Sequence, residues 1–334
     1  MESRNIHCSL LRVCATVFIL ICHIVKNYSF IPGSSFVGLI LGSAGVHIFL
    51  VLSGYLYAGK NIVFNKIWYM KHYEKLQIPI LIWVILWMIL LTLSNVSFSF
   101  YNAVSYIFMI QGVETIGNGA FTGAHLPGIE HLWYVTVAFS TYFLLPVFQK
   151  TRNKNRENQT LLVVFLLSLV GSFFKLRLVY FLSFYLGYYM GILENNKSRN
   201  YTNGVGIAVV VVCIASGLML LAKKFLDGTT LYDYTFWNFY SCIVACCFFY
   251  VCKVFSMGLF AEKLVTNNIF QLIEKNSFYI YIAHHGFAKG PLSVYRLDNL
   301  VLSSVLFAVC TLFGTLFIKF VHGKYLEIRY GLSV

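Results

Sequence analysis

Charged residues are scarce in this sequence. They make up 11% of the 334 residues, against about 25% in ordinary globular proteins, while hydrophobic residues make up 59%. So little charge excludes one or two soluble domains with a water-facing surface. The apolar residues come in runs of about 17–22, the length that crosses a hydrocarbon core of about 30 Å. The sequence therefore predicts an all-α, polytopic membrane protein whose partner is the lipid bilayer.

Features of metal-binding, disulfide-bonded and nucleic-acid-binding proteins are also missing. The nine cysteines include no CxxC pair, and most lie inside apolar runs, where cysteine behaves as a small hydrophobe. We therefore expect no disulfide framework and no metal. The net charge is +13, but the basic residues lie between the apolar runs, so we expect no nucleic-acid partner. No small-residue cleavage site follows the first run, which we interpret as a retained helix.

Ten apolar segments are long enough to be transmembrane helices. Helices are expected because only they and closed barrels satisfy their backbone in lipid, and the alternation of barrel strands is absent. Residues 100–130 contain a shorter apolar piece followed by glycines, which predicts an interfacial or re-entrant segment. Residues 1–334 are expected to form one membrane domain with no appended soluble domain. The predicted spans are 9–27, 36–57, 77–95, 131–149, 160–175, 178–193, 204–222, 235–256, 276–292 and 299–320.

The distribution of basic residues predicts the orientation. If the N-terminus is cytoplasmic, 18 of the 25 Lys and Arg residues fall on the cytoplasmic side. The positive-inside rule therefore favours cytoplasmic N- and C-termini.

The first predicted span carries two ionisable residues, Arg12 and His23. Eleven residues at 100° each place both side chains on nearly the same helix face, about 16 Å apart along the axis. Ionisable residues inside spans are costly and often functional. The alternative is a snorkelling arginine with a histidine that a neighbouring helix satisfies.

Carboxylates are absent from the middle of the predicted spans. All twelve acids fall at termini or in predicted loops, which counts against an ion- or proton-coupled transporter. Glu114 and Glu130 are the acids of the 100–131 segment, on the side toward which His23 points. Either can orient the imidazole or bind a sugar hydroxyl; the alternative is a pair of solvated loop acids.

Five motifs in chain order resemble those of the integral-membrane acyltransferase 3 family. Arg12-x10-His23 resembles the family's R-x10-H signature, and residues 45–56 (GVHIFLVLSGYL) resemble G-V-x-x-F-F-x-x-S-G-[FY]-L. Residues 71–79 (KHYEKLQIP) are similar to the basic run that enters the third helix. Residues 131–134 (HLWY), followed by Pro146, resemble H-L-W-[FY]…P, and residues 277–284 (SFYIYIAH) resemble S-x-x-I-Y-x-x-H.

Three features depart from the family pattern. His72 and Lys75 stand where the family usually has arginines, which puts bidentate phosphate binding in doubt because lysine lacks the planar fork. His47 stands where relatives often have Asp or Pro. The esterase-like domain that some relatives append is not found, so we expect the membrane domain or a separate partner to complete the reaction.

The resemblance implies transfer of an acyl group, usually acetyl, from cytoplasmic acyl-CoA to a hydroxyl of an extracytoplasmic glycan or lipid-linked saccharide. The expected location is a bacterial cytoplasmic membrane, with no permanently bound cofactor. His23 is the expected general base, because imidazole titrates near neutral pH. Arg12 is expected to orient or charge-pair the donor. Lys71, His72 and Lys75 share a helix face that can hold its phosphates; topology-setting lysines are the alternative.

The remaining candidates concern the acceptor and the oxyanion. Glu130, His131, Trp133 and His284 are expected to contact the acceptor. Ser53, Tyr281 or a backbone N–H is expected to donate to the oxyanion. Interfacial anchoring of Trp133 and a packing role for His284, beside His285, are the alternatives. Within the family, the alternative acceptor is an antibiotic or a small lipid. From another class, the alternative is an exporter of glycan or lipid-linked saccharide.

Overall fold

The computed structural model describes residues 5–28, 32–113, 125–196, 202–226, 228–229, 232–297 and 299–331. Within these ranges the chain is helical, with no strand. A 3-10 turn (Glu130–Leu132) precedes α5, a π turn (Tyr232–Phe236) precedes α9, and a 3-10 turn (Val294–Arg296) precedes α12. The helices are α1 (Ile6–Asn27), α2 (Ser34–Tyr57), α3 (Lys66–Leu93), α4 (Phe100–Ile107), α5 (Trp133–Arg152), α6 (Glu157–Phe173), α7 (Val179–Asn196), α8 (Thr202–Leu226), α9 (Trp237–Phe255), α10 (Leu259–Thr266), α11 (Asn268–Ala288) and α12 (Leu300–Tyr330).

A helix occupies each of the ten predicted spans. Among the residues that the structure describes, six of these helices are long and apolar enough to cross a membrane. These six are α1, α2, α3, α5 with its 3-10 turn, α9 with its π turn, and α12. The all-helical membrane class is therefore confirmed, whereas the count of ten and the orientation of the termini stay predictions. Helix α4 (Phe100–Ile107) forms the first part of the short apolar piece at 100–112; Glu114 lies outside the described residues.

Two helices begin well before the predicted spans. Helix α3 begins at Lys66, where the Asn65 side chain accepts a hydrogen bond from Trp68 N, so the basic run is part of the helix. Helix α11 begins at Asn268, where the Asn267 side chain accepts from two backbone N–H groups. Asparagine at this position satisfies N–H groups that a helix start leaves unpaired.

The expectation that all acids lie at termini or in loops is wrong for six of them. The acids that lie within helices are Glu74, Glu157, Glu194, Glu262, Glu274 and Glu327. Two of these, Glu194 of α7 and Glu274 of α11, contact neighbouring helices. Glu194 forms an ion pair with Lys253 of α9, and Glu274 forms one with Arg12 of α1. Each of these partly buried carboxylates is thus matched by a cation on a neighbouring helix, which offsets the cost of removing charge from water.

Helix α2 packs closely against α7. A Cβ atom on Gly54 would lie 1.9 Å from the carbonyl oxygen of Phe184, and one on Gly187 would lie 1.9 Å from that of Val51. Only glycine permits this approach, which is typical of helix pairs in membranes, where small residues let backbones come together. The contact fixes the position of α7 beside the first two helices.

Helix α3 buries two tryptophans, Trp83 and Trp87, against the C-terminal helices. A Cβ atom on Gly286 of α11 would lie 2.3 Å from the Trp87 ring, and one on Gly314 of α12 would lie 3.1 Å from the Trp83 ring. These contacts hold the end of α11 that carries two consecutive histidines.

Candidate functional site

A cavity of about 890 Å³ lies at the end of the bundle where α1 ends and α2 begins. Its walls come from α1, α2, α7, α9 and α11 together with the segment that leads into α5. Five of its lining residues are histidines, one of which is His125. The other four are His23 of α1, His131 of the 3-10 turn, and His284 and His285 of α11. We refer to these four as the histidine cluster.

The four imidazole rings contact one another. The ring centroid of His23 lies 5.0 Å from that of His284 and 4.8 Å from that of His285. The ring of His131 lies 4.8 Å from His284 and stacks on His285 at 4.6 Å. Three chain segments that are distant in sequence therefore meet at one point of the cavity wall.

Backbone carbonyl groups determine the tautomers of three of these rings. His131 Nε2 lies 2.8 Å, and His284 Nδ1 2.7 Å, from the carbonyl oxygen of Tyr281, while His285 Nδ1 lies 2.8 Å from that of Gly128. A carbonyl oxygen can only accept, so each of these nitrogens donates a proton. In the neutral ring the opposite nitrogen then carries a lone pair. His131 Nδ1 and His284 Nε2 are such atoms, buried and without a hydrogen-bond partner.

The turn at Gly128 positions the carbonyl group that accepts a hydrogen bond from His285 of the histidine cluster. Gly128 has φ +89°, a left-handed conformation that side chains disfavour, and a Cβ there would meet the Trp87 ring at 2.9 Å. Trp87 Nε1 donates to the carbonyl oxygen of Pro127 at 2.8 Å. Gly128 N donates to Glu130 Oε1 at 3.1 Å, and Glu130 Oε2 lies 3.7 Å from His285 Nδ1. These contacts hold the carbonyl that orients His285.

Six of the eleven predicted site residues line the cavity, and five do not. Those that line it are His23, Glu130, His131, Trp133, Tyr281 and His284. The Tyr281 hydroxyl donates to the carbonyl oxygen of His131, so here it is directed at the backbone. Ser53 lies outside the cavity and forms a hydrogen bond with the Tyr134 hydroxyl.

A comparison with families of known proteins gives a match. The family model Acyl_transf_3, described as an acyltransferase domain, matches residues 8–323. The chain belongs to the acyltransferase 3 family. Comparison with curated proteins and with solved structures found no match. The family resemblance is therefore confirmed over nearly the whole chain, and the protein is a membrane acyltransferase.

Arg12, the other residue of the R-x10-H motif of acyltransferase 3, lies outside the cavity. Its Nη1 is 3.6 Å from Oε1 of Glu274, and the Ser9 hydroxyl donates to the same carboxylate oxygen. Eleven residues separate Arg12 from His23, and eleven separate Glu274 from His285. Helices α1 and α11 therefore run parallel and in register, joined by an ion pair at one end and by the histidine cluster at the other. The expected contact of Arg12 with the donor stays a prediction.

The basic run of the acyltransferase 3 resemblance lies far from the histidine cluster. Lys71 and Lys75 are exposed, whereas His72 stacks on Trp68 with ring centroids 3.9 Å apart. One His72 nitrogen lies 2.8 Å from the Trp68 carbonyl oxygen, so its ring is held against the helix. Twelve residues separate Lys75 from Trp87, which is about 18 Å along α3. The run and the cavity thus lie toward opposite ends of the bundle.

Within the described ranges, no group of three or more metal-binding side chains is arranged to hold an ion. Among the cavity residues that were not predicted as site residues are three cations: Lys26, Arg177 and Lys289. The sequence signal for them was their position on the side of the membrane predicted to carry fewer cations. His47, which departs from the family motif, is fully buried and lies 2.7 Å from the Ser183 hydroxyl. It joins α2 to α7 and does not line the cavity.

Proposed function

We propose that this membrane acyltransferase moves an acyl group, acetyl in the first instance, from cytoplasmic acyl-CoA to a hydroxyl of a cell-surface polysaccharide or lipid-linked saccharide. The proposed location is a bacterial cytoplasmic membrane. The observation that carries the proposal is the histidine cluster in the wall of the 890 Å³ cavity. An acceptor with several hydroxyl groups is the natural complement of buried imidazole nitrogens that can only accept.

In the proposed reaction, the acceptor hydroxyl attacks the thioester carbon of the donor. A new C–O bond forms, the C–S bond breaks, and the hydroxyl proton passes to His23. The proton then neutralises the departing CoA thiolate. His23 is assigned as the base because it lines the cavity and no backbone carbonyl is seen to fix its tautomer among the described contacts. Its neighbours His131 and His284 each retain a free nitrogen for the hydroxyl groups of the acceptor.

Stabilisation of the oxyanion is assigned to the same cluster. Ser53 lies outside the cavity, and the Tyr281 hydroxyl is already directed at the His131 carbonyl oxygen. Once His23 has accepted the proton, it is an imidazolium and donates from both nitrogens. A charged donor within the cavity strengthens the hydrogen bond to a developing oxyanion.

The donor is proposed to bind at the other end of α3. Lys71 and Lys75 are exposed there and can hold phosphates as point charges. The distance of about 18 Å along α3 between this run and Trp87 would be bridged by the long arm on which acyl-CoA carries its thioester. Two substrates could then approach one reaction centre from opposite ends of the protein.

Nuclear magnetic resonance of surface glycan tests this function. Glycan is compared from wild-type cells, from a deletion strain, and from the deletion strain complemented with wild-type protein. The proposal predicts that O-acetyl signals disappear in the deletion strain, that the polymer remains on the surface, and that complementation restores the signals. Loss of the polymer itself would contradict acyl transfer and favour an exporter.

A further inference from the structure

Three cations line the cavity beside the histidine cluster: Lys26, Arg177 and Lys289. Lys26 lies three residues after His23 in the last turn of α1, and Lys289 lies four residues after His285 at the end of α11. Because α1 and α11 run parallel and in register, the two lysines lie at the same level, one turn beyond the imidazoles. Arg177 comes from the segment before α7, and its guanidinium lies 5.0 Å from the Tyr234 ring.

None of the three cations forms a salt bridge with a carboxylate in the part of the chain that the structure describes. Glu130 and Asp233 also line the cavity. Glu130 instead accepts from Gly128 N and contacts His285, and Asp233 contacts none of the cations at salt-bridge distance. Arg177 also contacts the Tyr180 hydroxyl. Because no carboxylate among the described residues neutralises the three cations, their charges are available to an anionic ligand.

Membrane topology does not account for these residues. In the predicted orientation, seven of the 25 Lys and Arg residues lie on the extracytoplasmic side, where the positive-inside rule disfavours them. Three of those seven line this one cavity. Concentration of cations on the disfavoured side, around a polar cavity, indicates a role in binding.

We propose that the acceptor is an anionic saccharide, and that Lys26, Arg177 and Lys289 bind its phosphate or carboxylate while the histidine cluster receives a neighbouring hydroxyl. Arginine presents two parallel N–H groups to either anion, and the lysines add point charges. The His131 Nδ1 and His284 Nε2 atoms accept from hydroxyl groups on the same sugar. The chemistry fits a lipid-linked sugar diphosphate and a polymer that contains uronic acid. This inference rests on the proposed function for the reaction but concerns binding alone.

Binding to the purified full-length protein distinguishes the sources. Trp133 and Trp237 line the cavity, so tryptophan fluorescence reports occupancy. Three probes are titrated: a farnesyl-diphosphate-linked N-acetylglucosamine, a hyaluronan tetrasaccharide and the neutral chitotetraose. We expect at least one anionic probe to bind ten times more tightly than chitotetraose, with an affinity that falls as salt is added. Preference for the diphosphate identifies a lipid-linked acceptor, and preference for hyaluronan identifies a uronate. Equal binding of all three probes, or none, overturns the proposal.

Matched variants locate the site. Lys26→Gln, Arg177→Gln and Lys289→Gln should each weaken binding of the anionic probe about tenfold and leave chitotetraose unaffected, because each removes one charge–anion contact. Lys224→Gln and Arg296→Gln remove exposed cations outside the cavity and should leave the affinity for every probe unchanged. Unchanged affinity in all three cavity variants would show that the anion site does not exist. Binding needs no acyl donor, so failure of acyl transfer in a separate assay would refute the proposed function and leave this result intact.

Discussion

The free nitrogens of His131 and His284 can be removed separately from their hydrogen bonds to Tyr281. The amide nitrogen of asparagine takes roughly the position of imidazole Nδ1, and that of glutamine roughly the position of Nε2. His284→Asn and His131→Gln therefore keep the donor to the Tyr281 carbonyl and delete the nitrogen that faces the acceptor. In His284→Gln and His131→Asn, the donor to the Tyr281 carbonyl is lost, and the side-chain amide oxygen can accept from the sugar hydroxyl in place of the imidazole nitrogen.

The expected magnitudes follow from the contacts. In His284→Asn, one acceptor for a sugar hydroxyl is lost, which is worth about 1–1.5 kcal/mol, so kcat/KM for the acceptor should fall about tenfold. Stability should remain near that of the wild type. In His284→Gln, the bond of 2.7 Å to the Tyr281 carbonyl is lost, but His131 Nε2 still donates to that oxygen at 2.8 Å. The expected loss of folding stability is therefore only about 1 kcal/mol.

The assay measures transfer of labelled acetyl from acetyl-CoA to acceptor in membranes, together with thermal unfolding of each variant in detergent. A His284→Asn protein with unchanged kcat/KM would show that the free Nε2 does not meet the acceptor. A loss of about 10²–10⁴-fold would instead make His284, and not His23, the general base.

Three further predictions test the packing and the topology. Gly54→Ala should destabilise the protein by about 3 kcal/mol or more in thermal unfolding, because its Cβ would lie 1.9 Å from a backbone oxygen. In the control Gly217→Ala, the new Cβ has no neighbouring atom within 4 Å, so this variant should be neutral or stabilising. Arg12→Gln and Glu274→Gln should each lower the free energy of unfolding by about 1–3 kcal/mol, less than for a fully buried ion pair because the Arg12 side chain is 35% exposed. The double variant should lose less stability than the sum of the two single losses. Additive losses would mean that the ion pair does not stabilise the contact of α1 with α11. Reporters fused after Arg156 and at residue 334 should be cytoplasmic, and one near Asp233 extracytoplasmic; an extracytoplasmic reporter at residue 334 would mean that the count of spans is wrong by one.

The helices were predictable because apolar runs in this chain have few other stable conformations. The starts of α3 and α11 were not, since hydropathy identifies the hydrocarbon-embedded part of a helix and misses a polar first turn. Asn65 and Asn267 were the available signals, as residues that cap helices. Because α11 was predicted to begin only at residue 276, Glu274 was assigned to a loop, and its pairing with Arg12 was missed.

For the candidate site, the spacing of Arg12 and His23 predicted a shared helix face but not what each residue contacts. The proximity of His23, His131 and His284 was expected only through the family motifs, because periodicity within one helix contains no information on its neighbours. The tautomers depend on the carbonyl oxygens of Tyr281 and Gly128, which no side-chain pattern reveals. Tertiary structure was needed for both.

Replacement of His23 by glutamine tests the central claim most directly. Glutamine preserves size and hydrogen bonding but cannot take a proton at neutral pH. If His23 is the general base, His23→Gln should be present at normal abundance with acyl transfer reduced about 10²–10⁴-fold, and wild-type activity should fall on acidification because a protonated imidazole accepts no proton. Nearly full acyl transfer by His23→Gln would contradict the assignment of His23 as base and the mechanism built on it.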